Sequence, residues 1–152
     1  MLQNFDEHAQ RGNEFLQLIA FELGDTSNKE AAERITRAVF RSLRELLTLE
    51  ENFQLIAQLP IILKGLYVEG WAPQKKNKKR SKKLDDFYLD VIKEEGAKAR
   101  KDFSTEEEIK KGVNAVFTVL RMYISEGQMK DAKAVVPDEI KILFSANSIE
   151  TH

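Results

Sequence analysis

The sequence predicts an all-α protein: a helical bundle of about eight short helices, built from two four-helix repeats related by a pseudo-twofold axis. Three observations carry this reading. Apolar residues recur at helical spacing along most of the chain, and no segment keeps the period-two alternation of a half-buried strand. Only three prolines and seven glycines interrupt the 152 residues. A shift of 77 lays RAVFRSLRELLTLEENFQLIAQLP (Arg37 to Pro60) over NAVFTVLRMYISEGQMKDAKAVVP (Asn114 to Pro137) without a gap.

The first helix, about 4–23, is marked by Phe15, Leu16 and Ile19 and stops at Gly24. The second, about 28–47, follows Asp25 and the capping-box spelling Ser27-x-x-Glu30, in which the hydroxyl accepts from a first-turn N–H. Its buried stripe is Ala31, Ile35, Ala38, Val39, Leu43, Leu46 and Leu47. Thr48-x-x-Glu51 opens the third helix, about 49–58, and Pro60 opens the fourth, about 60–70, where its missing N–H is no loss. Trp71 closes repeat one (about 4–71) and is expected to fold back onto an apolar surface.

Residues 72–83 read as a basic linker, and repeat two covers about 84–147 with helices near 84–99, 105–124, 126–134 and 137–147. Phe87-Tyr88, Val91 and Gly96 echo Phe15-Leu16, Ile19 and Gly24 at a separation of 72. Five extra residues around AKARK therefore precede the next cap, Ser104-x-x-Glu107. Ser125-x-x-Gln128 and Pro137 then repeat Thr48-x-x-Glu51 and Pro60 in register. Gly12 and Gly112 fall inside helices, where glycine costs about 1 kcal/mol against alanine. Either another helix comes close there or a solvated face tolerates them. Four short helices make a thin core, so the halves are expected to pack together as a single globular domain over 1–152.

The stretch from Arg37 to Pro60, followed by KGLYVEGW, resembles the bacterial family catalogued as domain of unknown function 2267. The pattern runs through Ala38-Val39, the turn Thr48 to Glu51, Gln58-Leu59-Pro60 and Gly70-Trp71, and the match is good over about Ala31 to Trp71. The second half departs from it, with Val135-Val136-Pro137 and Ala146-Asn147 at the corresponding places. The resemblance implies a small, all-helical tandem pair and carries over no catalytic residue.

Chemistry-bearing patterns are sparse. The absence of cysteine excludes thiol catalysis, disulfides and thiolate metal sites. The histidines are His8, read as a half-buried packing residue beside Phe5 and Ala9, and His152. Neither completes the Glu-x-x-His of a di-metal bundle, so no metal site is expected. No glycine-rich phosphate loop can be read, and no cofactor is expected. Arg44 and Arg121 recur in the repeat and fit either a symmetric anion clamp or pairing with a neighbouring acid. Whether the protein is an enzyme is left open, with a non-catalytic role favoured.

Net charge is -1, yet Lys75, Lys76, Lys78, Lys79, Arg80, Lys82 and Lys83 concentrate seven cations in nine residues. Without them 17 basic residues face 25 acidic ones. Such a strap attracts phosphate backbones, but no aromatic lies within it to stack on bases. A solvated linker, a nucleic-acid or polyanion contact and a membrane-surface contact are the readings. The N-terminus shows no basic segment leading into an apolar run, and no apolar stretch approaches the roughly 20 residues of a membrane span. The expectation is a cytoplasmic, non-catalytic protein-interaction or scaffold module that binds a protein partner or itself, with polyanion binding through the strap as the alternative.

Overall fold

A computed structural model describes residues 2–73 and 81–145, and among these no strand occurs. Helix α1 is Leu2–Glu22, α2 is Lys29–Arg44, α3 is Leu49–Gln58 and α4 is Ile61–Val68. They are followed by α5 (Leu84–Glu95), α6 (Ala99–Asp102), α7 (Glu106–Tyr123) and α8 (Glu126–Val135). Short 3₁₀ segments cover Gly96–Lys98 and Asp138–Phe144.

Side-chain caps start four of these helices, and two of the four differ by one residue from the sequence expectation. Thr48 and Ser125 cap α3 and α8 as expected, accepting from Glu51 N and Gln128 N at 3.1 Å each. Asn28 rather than Ser27 caps α2, accepting from Ala31 N at 3.1 Å, because Ser27 turns its N–H and hydroxyl to Asp25 Oδ1. Thr105 rather than Ser104 caps α7, and Glu108 reaches back to Ser104 N at 2.8 Å. Gly96, at φ 72°, ends α5, so the extra residues form a 3₁₀ turn and the four-residue α6 instead of prolonging one helix to 99. The last element is 3₁₀, not α. Three residues per turn put Ile140 and Leu143 on one side, and both are buried.

The core draws on both halves of the chain. Helix α2 packs on α1, α4, α5 and α7, and α3 packs on α8. Aromatic rings mark the interior in two series. Phe40 lies 6.3 Å from Phe15 and 5.1 Å from Tyr67, while Phe117 lies 6.5 Å from Phe87 and 5.1 Å from Phe144. Trp71 folds back as expected, its ring edge-on to Phe53 of α3 at 5.8 Å. In the N-terminal turns of α1 His8 is half-buried as expected, but its expected neighbours are not: Phe5 is 70% exposed and Ala9 is exposed.

The two helical glycines mark close approaches. A Cβ on Gly12 would sit 2.9 Å from Ile62 Cβ, and one on Gly112 would sit 2.9 Å from Phe103 Cε1. Ile62 Cβ is fixed to its backbone, whereas the Phe103 ring can tilt. We expect Gly12→Ala to destabilise by about 1–2 kcal/mol despite its better helix propensity, and Gly112→Ala to cost less. Urea unfolding of the two variants, compared with the parent, checks the order.

Candidate functional site

The polar residues that recur in the two halves act on helix ends. Arg44, almost fully buried, donates from Nη1 to Tyr67 O at 2.7 Å and to Glu69 O at 2.8 Å. Arg121 donates to Leu143 O at 3.1 Å and to Thr118 Oγ1 at 3.4 Å. Lys64 Nζ reaches Ile56 O at 3.1 Å and Ala57 O at 2.9 Å, and Lys141 Nζ reaches Lys133 O at 3.0 Å. Cations satisfying the last carbonyls of a helix complement both the orphan acceptors and the dipole. Burial, and then Arg41, lower the pKa of Arg44. For Arg44 these contacts fit neither the anion clamp nor an acid partner as its main role.

A second buried group joins α2, α3 and α4. Asn52 donates to Arg44 O at 2.9 Å and to Thr48 O at 3.2 Å, and accepts from the Tyr67 hydroxyl. Burial raises the Tyr67 pKa far above its usual value, keeping the phenol a neutral donor.

A third group has unusual protonation. Arg34 of α2 forks onto Asp102 of α6, Nε to Oδ2 at 2.8 Å and Nη2 to Oδ1 at 2.9 Å. Burial raises the pKa of Asp102, but the guanidinium outweighs it and holds the carboxylate below its ordinary value. Glu95 lies beside the pair, and burial, then Asp102, push its carboxyl up to about 8. Neither Glu95 oxygen is accessible or hydrogen-bonded. Asp102 lines a cavity of about 200 Å³ with Asp25, Asn28, Lys101 and Lys111. The group ties the inserted α6 to α2.

Among the described residues no three His, Asp or Glu side chains are placed to hold a metal ion, and no helix is long and apolar enough to cross a membrane. Of the basic strap, Lys75, Lys76, Lys78, Lys79 and Arg80 lie outside the described residues, as does His152, while Lys82 and Lys83 are exposed.

Helix α4 presents the feature that its sequence hides. Its eight residues IILKGLYV include a single charge, yet only Leu63 and Tyr67 are buried. Ile61 and Ile62 are each 50% exposed and Val68 is 41% exposed. At about 100° per residue, Gly65 falls at the centre of the outward face, with Ile61, Ile62, Leu66 and Val68 around it. A Cβ at Gly65 would meet none of the described residues within 4 Å. Arg37 and Arg41 of α2 hold Glu69, just beyond this helix, at 3.2 and 3.5 Å.

The comparison with known families now bears on this arrangement. Residues 12–143 match the family described as uncharacterized conserved protein, DUF2267. This chain belongs to that family. The DUF2267 match spans both halves, including the second half whose Val135-Val136-Pro137 departs from the pattern read over Ala31 to Trp71. No curated protein matches the chain. Within this DUF2267 protein, Arg44 was visible in the sequence as a recurring residue, and its helix-end role follows from position. Asn52, Glu95 and the outward face of α4 were not singled out, because each shows its nature only once burial is known.

Proposed function

We propose that this DUF2267 protein is a non-catalytic, cytoplasmic interaction module built from two copies of one four-helix unit, and that it binds a second copy of itself through the outward face of α4. The observation that carries the reading is Gly65. Glycine in a helix costs about 1 kcal/mol against alanine, and none of the described residues accounts for it, since its Cβ direction is open among them. An apolar face with a glycine at its centre suits the close crossing of another helix. A face about 12 Å long is self-complementary when two copies meet antiparallel about a twofold axis, Ile61 of one near Val68 of the other. Asp138 and Glu139 stand where the second half would place Ile61 and Ile62, so the second half does not repeat this face.

The two-copy reading is supported by the matched ring series Phe15–Phe40–Tyr67 and Phe87–Phe117–Phe144, and by Lys64 and Lys141 on carbonyls that are also 77 apart. Gln128 Nε2 donates to Glu51 Oε1 at 2.9 Å, and these residues are themselves 77 apart. A residue touching its own counterpart is what a twofold axis produces.

Sedimentation velocity over about 1–500 μM tests the function. We expect a reversible dimer, with Gly65→Leu and Ile61→Asp monomeric and folded by circular dichroism. Gly65→Ala should stabilise the monomer by about 0.5–1 kcal/mol while weakening the dimer. A parent chain that stays monomeric throughout overturns the reading, as does a dimer indifferent to both substitutions. The alternative, polyanion binding by the strap from Lys75 to Lys83, draws on its composition and on the exposure of Lys82 and Lys83. It would show instead as salt-sensitive duplex binding that Ile61→Asp leaves intact.

A further inference from the structure

We infer that the segment 96–103, with α6 at its centre, is a latch that swings off α2 and α7 when Glu95 loses its proton, while the helices around it stay packed. A helix of four residues has no stability of its own, because one turn fixes its backbone for too few hydrogen bonds. Its place depends on two attachments. Ala99 and Phe103, one turn apart, are both buried, and the Phe103 ring lies over Gly112 of α7 beside Ile35 of α2. Asp102 takes the two-pronged donation of Arg34 from α2. At the near end Gly96, at φ 72° and with open space in its Cβ direction among the described residues, serves as the hinge. Helix α2 keeps its packing on α1, α4, α5 and α7 whether or not the segment is in place, so the opening can be local.

Glu95, the last residue of α5 before the hinge, sets how firmly the far end is held. Neither of its oxygens meets water or a donor. A charged carboxylate there has lost its hydration and gained nothing in return. With a proton the same group becomes a donor, and the acceptor beside it is Asp102. Asp102 then receives Glu95 as well as Arg34, and one carboxylate joins α5, α2 and α6. Without the proton two carboxylates share one guanidinium, and their repulsion falls on the residue that anchors α6. The surrounding charges do not relieve this. Glu30 of α2 and Lys101 of α6 act on the pair, and Asp25, Glu108 and Lys111 line the cavity with Asp102, but none donates to Glu95.

Opening lets Glu95 reach water and recover its ordinary value of 4.5, whereas the closed form holds it at about 8. The closed form therefore binds the proton more tightly, and the open fraction rises with pH between these values and levels off above the higher one. What opening uncovers is apolar: the Phe103 ring, Ile35 and the bare backbone of Gly112 between α2 and α7.

The chain has no cysteine, so a single introduced thiol reports its own exposure. Ala99→Cys puts one on the buried side of α6, and Ala38→Cys puts one in the core face of α2. Each is labelled with dithiodipyridine, at concentrations where the rate is proportional to reagent, with and without Glu95→Gln. We expect the Ala99→Cys protein to label at least about 10-fold faster than the Ala38→Cys protein at pH 9. Adding Glu95→Gln, whose amide is a permanent donor, should slow Ala99→Cys by about 30-fold at pH 9 and by no more than about 3-fold at pH 5. In the cysteine-free protein, exchange of the Phe103 amide, which donates to Ala99 O at 2.7 Å, should slow to the same extent on Glu95→Gln. Equal labelling at the two positions means that the whole molecule opens, and overturns the latch. Labelling of Ala99→Cys at pH 9 that ignores Glu95→Gln overturns the control by Glu95.

Discussion

Replacing Arg44 by alanine is expected to cost about 3 kcal/mol, and replacing Arg121 about 1 kcal/mol. The arginines recur at matching positions, but their burdens differ. Arg44 is 8% exposed and satisfies two carbonyls at 2.7 and 2.8 Å. Arg121 is half-buried, and its bond to the Leu143 carbonyl is longer, at 3.1 Å. A hydrogen bond from a charged donor contributes about 1.5–3 kcal/mol, and a buried carbonyl left unpaired carries its own penalty. The buried Nε of Arg44 has no partner, and its removal offsets part of the loss. In a chain of this length 3 kcal/mol lowers Tm by roughly 6–12 °C. Arg44→Lys keeps the charge but not the planar fork, and should fall between parent and alanine variant. Equal losses for Arg44→Ala and Arg121→Ala in denaturant titrations would refute this account of how α4 is anchored.

Stability should fall by about 2 kcal/mol between pH 5 and pH 9, and Glu95→Gln should abolish that fall. In the unfolded chain the Glu95 carboxyl has its ordinary value of 4.5, and in the fold it stands at about 8. The native state therefore holds the proton more tightly. Its contribution is complete below about pH 4.5, shrinks as pH rises, and is gone above about 8. The full displacement would correspond to more than 2 kcal/mol, but solvent around a half-buried group screens part of it. Arg34 and Glu30 on α2, with Asp102 and Lys101 on α6, are the charges acting on this group. Asp102 has the opposite sign: its lowered pKa stabilises above the ordinary aspartate range and is lost on acidification. Glu95→Gln should match the parent at pH 5 and exceed it by about 2 kcal/mol at pH 9. Chemical denaturation at the two pH values decides; a parent with flat stability across this range sinks the reading.

Much of the fold was legible because its boundaries are written in local chemistry. Thr48, Ser125, Pro60 and Pro137 fix their helix starts from within one turn of chain, and α3 runs as read. Errors arose where two neighbours competed for one role. Ser27 beside Asn28 and Ser104 beside Thr105 offered equivalent oxygens, and the preceding turn decided between them. The 3₁₀ form of Asp138–Phe144 depends on which side chains are buried, a tertiary matter. The Arg34, Glu95 and Asp102 group could not be seen, since its members come from three elements. The α4 face was hidden for another reason. IILKGLYV reads as core from hydropathy, and only geometry turns half of it outward.

The hydrogen bond between Gln128 and Glu51 has one more consequence. Where two separate, identical chains meet about an axis, whatever stands on that axis confronts its own image, so a carboxylate there must face a carboxylate and an amide an amide. Joining both units in one polypeptide lifts this restriction. Each side of the boundary can then mutate alone, and a donor can be set opposite an acceptor, as at this pair. On the two-copy reading, covalent fusion is what made the centre of the molecule chemically lopsided, and splitting the chain back into matching single units would bring the mirror conflict back.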